Sequence, residues 1–161
     1  MHHAVRTARI NPLSIPDRER EAALLTAFNQ GDMDRVLALS EALPETETTL
    51  LLRALALRAA NRLHEALPLL TRLTQLAPRT FEYWNNLGLV ARESGDVETA
   101  AQALQQALTL APQSADAHYN LGLLHLQLKN WPAARESLLD AVQLAPDFIE
   151  ARLYAAHASH L

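Results

Sequence analysis

The tripeptide Leu-Ala-Pro occurs three times in this sequence, beginning at Leu76, Leu110 and Leu144, and therefore recurs every 34 residues. A period of this length is typical of chains in which each unit buries its apolar face only by stacking on its neighbours. Other positions keep the interval when units begin at residues 47, 81, 115 and 149. They are the eighth (Ala54, Gly88, Gly122, Ala156), the twentieth (Ala66, Ala100, Ala134) and the twenty-fourth (Leu70, Leu104, Leu138). The period therefore predicts a linear stack of equivalent units.

Each unit contains two helical segments separated by turn residues. In unit 81–114, an apolar stripe with helical spacing stops at Gly95, which suits the left-handed end of a helix. Asp96 then stands where an N-cap is needed, and Pro112 ends the second helix because it cannot continue one. Asp32 and Asn130 are expected to act as caps in the same way. Small residues at the eighth and twentieth positions let the paired helices approach closely, so each unit is predicted to be an antiparallel helix hairpin.

The composition supports helices and excludes several classes of function. Leu and Ala dominate while aromatic residues make up 5%, and this bias towards helix formers excludes an all-β fold. A formal net charge of −4 gives no general attraction to nucleic acid or to an anionic membrane, so neither is an expected partner. The absence of cysteine excludes disulfides, thiolate zinc sites and cysteine nucleophiles. Because no apolar stretch is long enough for a signal peptide or a membrane span, a cytoplasmic location is expected.

Unit 81–114 also carries a recognisable order of residue types, W-x2-L-G followed by Ala, Ala and Pro, at Trp84, Leu87, Gly88, Ala100, Ala107 and Pro112. This order resembles the tetratricopeptide repeat (TPR) family. The resemblance implies an all-α fold, a right-handed superhelical solenoid of antiparallel helix hairpins. It covers residues 17–161, divided into a degenerate repeat 17–46, repeats 47–80, 81–114 and 115–148, and a terminal helix or half repeat 149–161. Residues 1–16 are expected to form an extended N-terminal arm.

No enzyme motif occurs in the sequence, which lacks a glycine-rich phosphate loop, a G-x-S-x-G elbow and an H-E-x-x-H helix. Catalysis and cofactor binding are therefore not expected. The histidine pairs His118/His125 and His157/His160 have helical spacing but no accompanying ligand pattern, so they are expected to be packing or surface residues and not a metal site. Trp84 and Trp131 occupy positions that pack between helices in TPR relatives, so we expect them in the core.

The resemblance places the candidate binding site on the first helix of each repeat, because these helices line a concave groove in TPR relatives. At the sixth position, Asn86 and Asn120 follow one another in successive repeats. A carboxamide matches the C=O and N–H of a peptide unit whatever its side chain, so these asparagines are predicted to pair with an extended peptide. The alternative is that both are solvated asparagines on an exposed helix face.

Apolar and charged residues accompany the asparagines. Leucines at the ninth position either complete the packing between first helices or form a shallow stripe for bound side chains, and both interpretations stay open. Acidic residues at the second position (Glu82, Asp116, Glu150) and arginines at the twelfth (Arg58, Arg92) suggest opposite borders and a partner that is basic on the acidic side. The predicted groove residues are Asn86, Asn120, Leu55, Leu89, Leu123, Tyr119, Tyr154, Asn85, Glu82 and Asp116.

Co-chaperone relatives grip a C-terminal carboxylate with Lys and Arg in the groove, but Leu51, Asn85, Glu82 and Asp116 stand at the matching positions here. Binding of an acidic chaperone tail is therefore disfavoured. The sequence predicts a noncatalytic protein-interaction module that binds an extended peptide of a partner protein. Two alternatives remain: a substrate-recruiting N-terminal fragment of a larger TPR enzyme of the glycosyltransferase or sulfotransferase type, and a scaffold that self-associates through its terminal helix.

Overall fold

The computed structural model describes residues 15–159 of the 161-residue chain and contains nine α-helices within that range. They are α1 (Ile15–Asn29), α2 (Met33–Glu41), α3 (Glu47–Ala59), α4 (Leu63–Leu76), α5 (Phe81–Ser94), α6 (Val97–Leu110), α7 (Ala115–Gln127), α8 (Trp131–Leu144) and α9 (Ile149–Ala158). Each helix packs against the next one along the chain, and the first helices α5 and α7 also touch each other directly. The described residues contain no strand. The predicted all-α helical-repeat solenoid is confirmed.

The turns between paired helices share one backbone conformation. Gly95 ends α5 with φ +85°, as the sequence predicts, and Asn61 and Lys129 take the equivalent place one repeat earlier and later, each with φ +58°. Glycine adopts this left-handed conformation without cost, whereas a side chain there is strained. The predicted caps are also confirmed: Asp32, Asp96 and Asn130 each accept a hydrogen bond from the backbone N–H three residues later, at 3.0, 3.1 and 3.4 Å.

The N-terminal boundary differs from the prediction by two residues. Helix α1 begins at Ile15, so Ile15 and Pro16 are helical and do not belong to the predicted extended arm. Proline is compatible with this place because the N–H groups of the first helical turn have no partner within the helix. The rest of the predicted arm, residues 1–14, lies outside the described residues.

Close contact within each hairpin depends on the small residue at the eighth position. A Cβ added to Gly88 would lie 2.6 Å from Cγ of Leu104, and one added to Gly122 would lie 2.6 Å from Cγ of Leu138. Both leucines are fully buried. The expectation that small residues recur where helices touch is confirmed, and the first helix of each hairpin lies directly on a buried leucine of the second.

A hydrogen bond to a proline carbonyl fixes the loop between repeats. Trp84 Nε1 donates to the carbonyl of Pro78 at 2.8 Å, and its ring packs half-buried against the core cluster of α3 to α5. One repeat later, His118 Nε2 lies 2.9 Å from the carbonyl of Pro112 and donates to it. Histidine therefore replaces the tryptophan of the TPR pattern without loss of this hydrogen bond.

Tyr83 connects the first helices of two repeats. Its side chain is 7% exposed, and its hydroxyl donates to Glu47 Oε2 at 2.9 Å. Burial raises the pKa of Tyr83 to about 12, and the hydrogen bond to Glu47 adds to the shift because both favour the neutral phenol. A buried polar link thus spans the contact between α3 and α5.

We predict that Gly88→Ala destabilises the fold by about 1 to 2 kcal/mol, because the new methyl group overlaps Leu104. In a Leu104→Ala background the same change should cost clearly less, since the side-chain overlap is relieved, only the 3.2 Å approach to the backbone N of residue 104 is left, and alanine favours a helix by about 1 kcal/mol over glycine. Urea unfolding of the four variants measures both effects. Equal destabilisation in both backgrounds would contradict the proposed contact.

We also predict a specific alkaline transition from Tyr83. Above pH 10 the unfolded chain loses the phenol proton while the folded chain keeps it until about pH 12, so the contribution is complete below pH 10 and is lost between the two values. The free energy of unfolding should therefore fall more steeply in the wild type than in Tyr83→Phe, by a total of about 2 kcal/mol. Tyr154→Phe, which alters an exposed phenol, is the control. Parallel wild-type and Tyr83→Phe profiles between pH 10 and 12 would contradict the prediction.

Candidate functional site

A concavity of about 420 Å³ lies between the first helices of successive repeats. Helices α3, α5 and α7 and the residue before α9 contribute its walls. Helix α5 presents residues with the spacing i, i+4, i+7 and i+8, and α7 presents a similar stripe, so each helix turns one face towards the concavity. The lining residues are Arg58, Asn85, Leu89, Arg92, Glu93, Asp116, Tyr119, Asn120, Leu123 and Phe148.

Two asparagines from neighbouring repeats form a hydrogen-bonded pair in this concavity. Asn120 is 6% exposed, and its Nδ2 donates to Oδ1 of Asn85 at 3.1 Å. A carboxamide has two N–H donors and an acceptor oxygen, so this bond uses only part of the capacity of each side chain. Within residues 15–159, Nδ2 of Asn85 and Oδ1 of Asn120 have no hydrogen-bond partner. The pair therefore leaves the NH2 group of Asn85 and the carbonyl oxygen of Asn120 available as donor and acceptor.

Charged residues surround the asparagine pair. Arg58 donates to both carboxylate oxygens of Glu93, from Nε at 2.8 Å and from one NH2 group at 2.7 Å, and this bidentate pair joins two repeats. Arg92 stays 3.8 Å from the same carboxylate, and its buried Nε has no partner among the described residues. Since Asp116 also lines the concavity, two arginines and two acids share it and their formal charges balance.

Aromatic rings close the end of the concavity next to α9. The ring of Tyr119 lies 4.7 Å from that of Phe148, centroid to centroid, and 6.0 Å from that of Tyr154 in an edge-on arrangement. These separations are typical of stabilising aromatic pairs. Burial raises the pKa of Tyr119, with smaller contributions from Tyr154 and Glu150. The phenol of Tyr119 is therefore held in its neutral form.

The structure brings six of the ten predicted groove residues together: Asn85, Leu89, Asp116, Tyr119, Asn120 and Leu123. The other four lie outside the lining. Asn86 turns back to its own helix, where Nδ2 donates to the carbonyl of Glu82 at 2.8 Å, and the Glu82 side chain is exposed. Leu55 is half-buried on α3, and Tyr154 reaches the concavity only through its contact with Tyr119. Asn120 thus bonds Asn85 and not the equivalent asparagine of the previous repeat, Asn86, which the sequence predicts to face the same bound peptide.

Two of the lining residues are absent from the predicted groove. Two others are predicted only as charges on its border. Glu93 lies four residues after Leu89 on the same face of α5, so extending the helical stripe by one turn would have found it. Phe148 directly precedes α9 in a loop and has no helical spacing to reveal it. Arg58 and Arg92 were assigned to one border, but the concavity contains them together with Glu93.

Within the described residues, the histidines do not come together with acidic side chains as metal ligands do. Among residues 15–159, no group of three or more His, Asp or Glu side chains could hold a metal ion. His118 binds a loop carbonyl and lies 3.6 Å from the carboxylate of Asp140. Burial lowers the pKa of His125, opposed weakly by Glu136. His160 lies outside the described residues.

No helix in the described part of the chain is both long enough and apolar enough to cross a membrane.

Solved structures with the same fold include MamA, with a TM-score of 0.78 and 22% identity over 89% of this chain and 81% of that chain. YrrB, described as a TPR protein with an unusual peptide-binding site, has a TM-score of 0.79 and 22% identity over 90% and 75%. Residues 41 to the end of MamA from Desulfovibrio magneticus RS-1 give a TM-score of 0.81 and 18% identity over 90% and 84%. These similarities concern the fold.

No curated protein sequence matches the chain. The family model described as tetratricopeptide repeat matches residues 51–115 and 90–147, which together span more than half of the 161 residues. The periodic tripeptides, the stacked hairpins and this match agree, and the chain therefore belongs to the tetratricopeptide repeat family.

Proposed function

We propose that this chain binds an extended segment of a partner protein along the concavity between α3, α5 and α7. The observation that carries the proposal is the asparagine pair, because Asn85 Nδ2 and Asn120 Oδ1 belong to two hydrogen-bonded side chains of one concavity and have no partner within residues 15–159. A peptide unit carries the complementary acceptor and donor, its C=O and N–H. Two such hydrogen bonds fix an extended backbone and place few demands on its sequence.

Side-chain contacts supply the apolar part of the proposed interaction. Leu89 and Leu123 are half-buried at equivalent positions of α5 and α7, where they flank the asparagine pair. Tyr119 and Phe148 offer aromatic surface at one end of the concavity. Burial of apolar side chains around a few directed hydrogen bonds is the usual composition of a peptide site.

The charges of the concavity select against a strongly charged partner. Of the three acidic residues at the second position, only Asp116 lines the concavity, so the expected acidic border is reduced to one carboxylate there. Arg92 and Asp116 are the lining charges left over, since Glu93 is already held by Arg58. We infer that the bound segment is close to neutral and can place an acceptor group at Arg92 and a donor group at Asp116.

The comparison with YrrB supports the same class of function. Its structure, described as having an unusual peptide-binding site, shares this fold. The proposal treats the chain as a noncatalytic module, in which the named side chains hold a partner and perform no reaction.

Peptides selected from a phage-displayed random library provide the direct test. Binding of a selected peptide, measured by fluorescence anisotropy, should weaken about tenfold with Asn85→Ala, because one backbone hydrogen bond is lost in a partly desolvated site. Asn86→Ala is the matched control and should change affinity less than about twofold. If Asn86→Ala weakened binding and Asn85→Ala did not, the segment would lie along the sixth-position asparagines. A library that yields no binding peptide would contradict the proposal.

The asparagine pair should also appear as an energetic coupling in the folded chain. Asn120→Ala is expected to destabilise the fold by about 1 kcal/mol, because the partly buried Oδ1 of Asn85 loses its donor. Its effect should shrink by about 0.5 kcal/mol or more in an Asn85→Ala background, since the partner is already gone. The same cycle with Asn86→Ala should be additive. Coupling of Asn120 to Asn86 in place of Asn85 would contradict the observed pairing.

A further inference from the structure

Helix α9 presents an apolar face that the described part of the chain leaves open. One side of the helix is a stripe of small residues, Ala151, Ala155 and Ala158, which is buried and packs against α8. On the opposite side Ile149 and Leu153 are 64% and 66% exposed. These are the most exposed large apolar side chains among residues 16–159, and they stand four residues apart, one helical turn.

The equivalent face of the other repeats shows which kind of helix packs on it. Ala156 occupies the eighth position, where Ala54, Gly88 and Gly122 are buried. At Gly88 and Gly122 the small residue lies directly under a leucine of the antiparallel second helix. In α9 the same position is exposed. The face of Ile149, Leu153 and Ala156 is therefore equivalent to the surface that accepts an antiparallel helix with a large aliphatic side chain.

We propose that this face binds the same face of a second copy of the chain, with the two α9 helices antiparallel about a two-fold axis at Leu153. Antiparallel pairing brings together residues that lie equally far before and after the centre. Ile149, four residues before Leu153, then meets Ala156 and His157 of the second copy. The isoleucine then packs over the small residue, at the wider helix separation that the Cβ of Ala156 requires, and the two Leu153 side chains meet on the axis.

The hydrogen-bonding groups on one flank of the face are complementary in the same register. Glu150 and His157 stand seven residues apart, two helical turns, on one flank of the face. In the antiparallel pair, Glu150 comes beside His157 of the second copy, so a carboxylate acceptor faces an imidazole donor twice across the axis. Arg152 lies about a quarter turn from Leu153, at the other margin of the face, where the Arg152 side chains of the two copies come near each other and extend into water. A two-fold interface requires a patch that complements itself, and this one pairs large with small and acceptor with donor.

The absence of cysteine from the chain makes this geometry directly testable. A single cysteine introduced by Leu153→Cys lies next to its own copy on the proposed axis, so mild oxidation should give a disulfide-linked dimer. Leu76→Cys, at an exposed leucine of α4, is the matched control and should stay monomeric. Leu153 is exposed, so neither folding nor the peptide site depends on it, and circular dichroism checks the fold. If Leu153→Cys gave no more crosslinked dimer than Leu76→Cys, the two-fold pairing would be wrong.

Sedimentation equilibrium tests the contact without a crosslink. Protein concentrations from ~10 µM to ~1 mM suit an interface of only two ten-residue helices, which is expected to be weak. The wild-type mass should rise with concentration, and Leu153→Glu should abolish the rise. Ala156→Leu should weaken association at least about tenfold, because the added side chain fills the space that Ile149 of the second copy needs. Nonspecific hydrophobic association would instead become stronger in Ala156→Leu, because this variant is more apolar than the wild type. A constant wild-type mass, or stronger association of Ala156→Leu, would overturn the proposal.

Discussion

The distance between the two helices of each hairpin is the constraint on which the other contacts depend. Gly88 and Gly122 leave no room for a side chain above Leu104 and Leu138, so each pair of helices is as close as its backbones allow. The same contact of a buried leucine under a glycine occurs in the α5–α6 and α7–α8 hairpins, which therefore pack alike. The two similar hairpins let α5 and α7 lie against each other and form one wall of the concavity.

Several repeat positions keep an interaction while changing the residue that makes it. Trp84 and His118 have little in common except a ring N–H, and that N–H reaches the proline carbonyl in both repeats. Gly95 and Lys129 both adopt a positive φ at the end of the first helix, although lysine is strained there. The backbone geometry thus recurs in successive repeats although the residues differ. This explains why units that depart from the TPR pattern still form hairpins.

The two surfaces that are proposed to bind partners lie on different sides of the first helices. The concavity is the exposed side of the first helices, where residues of neighbouring repeats combine into one lining. The α9 surface is the side of a first helix that its own hairpin partner covers in the complete repeats. The two proposed interactions therefore need different surfaces. Peptide binding needs polar groups whose hydrogen-bonding capacity is partly unused, and pairing of two copies needs an apolar face without a neighbour.

The sequence by itself determined the period, the hairpin, the caps at Asp96 and Asn130 and the close contact at Gly88, because all of these follow from interactions within one repeat. The polar links between repeats were decided only by the tertiary structure. Asn120 and Asn85, Arg58 and Glu93, and Tyr83 and Glu47 are separated by 35, 35 and 36 residues, one or two more than the period. This offset reflects how adjacent hairpins are staggered, and stagger depends on side-chain packing across the whole interface, which a linear pattern does not encode. For that reason the sequence could put Asn86 and Asn120 at the same position of successive repeats, while only the packed chain shows that Asn120 bonds Asn85.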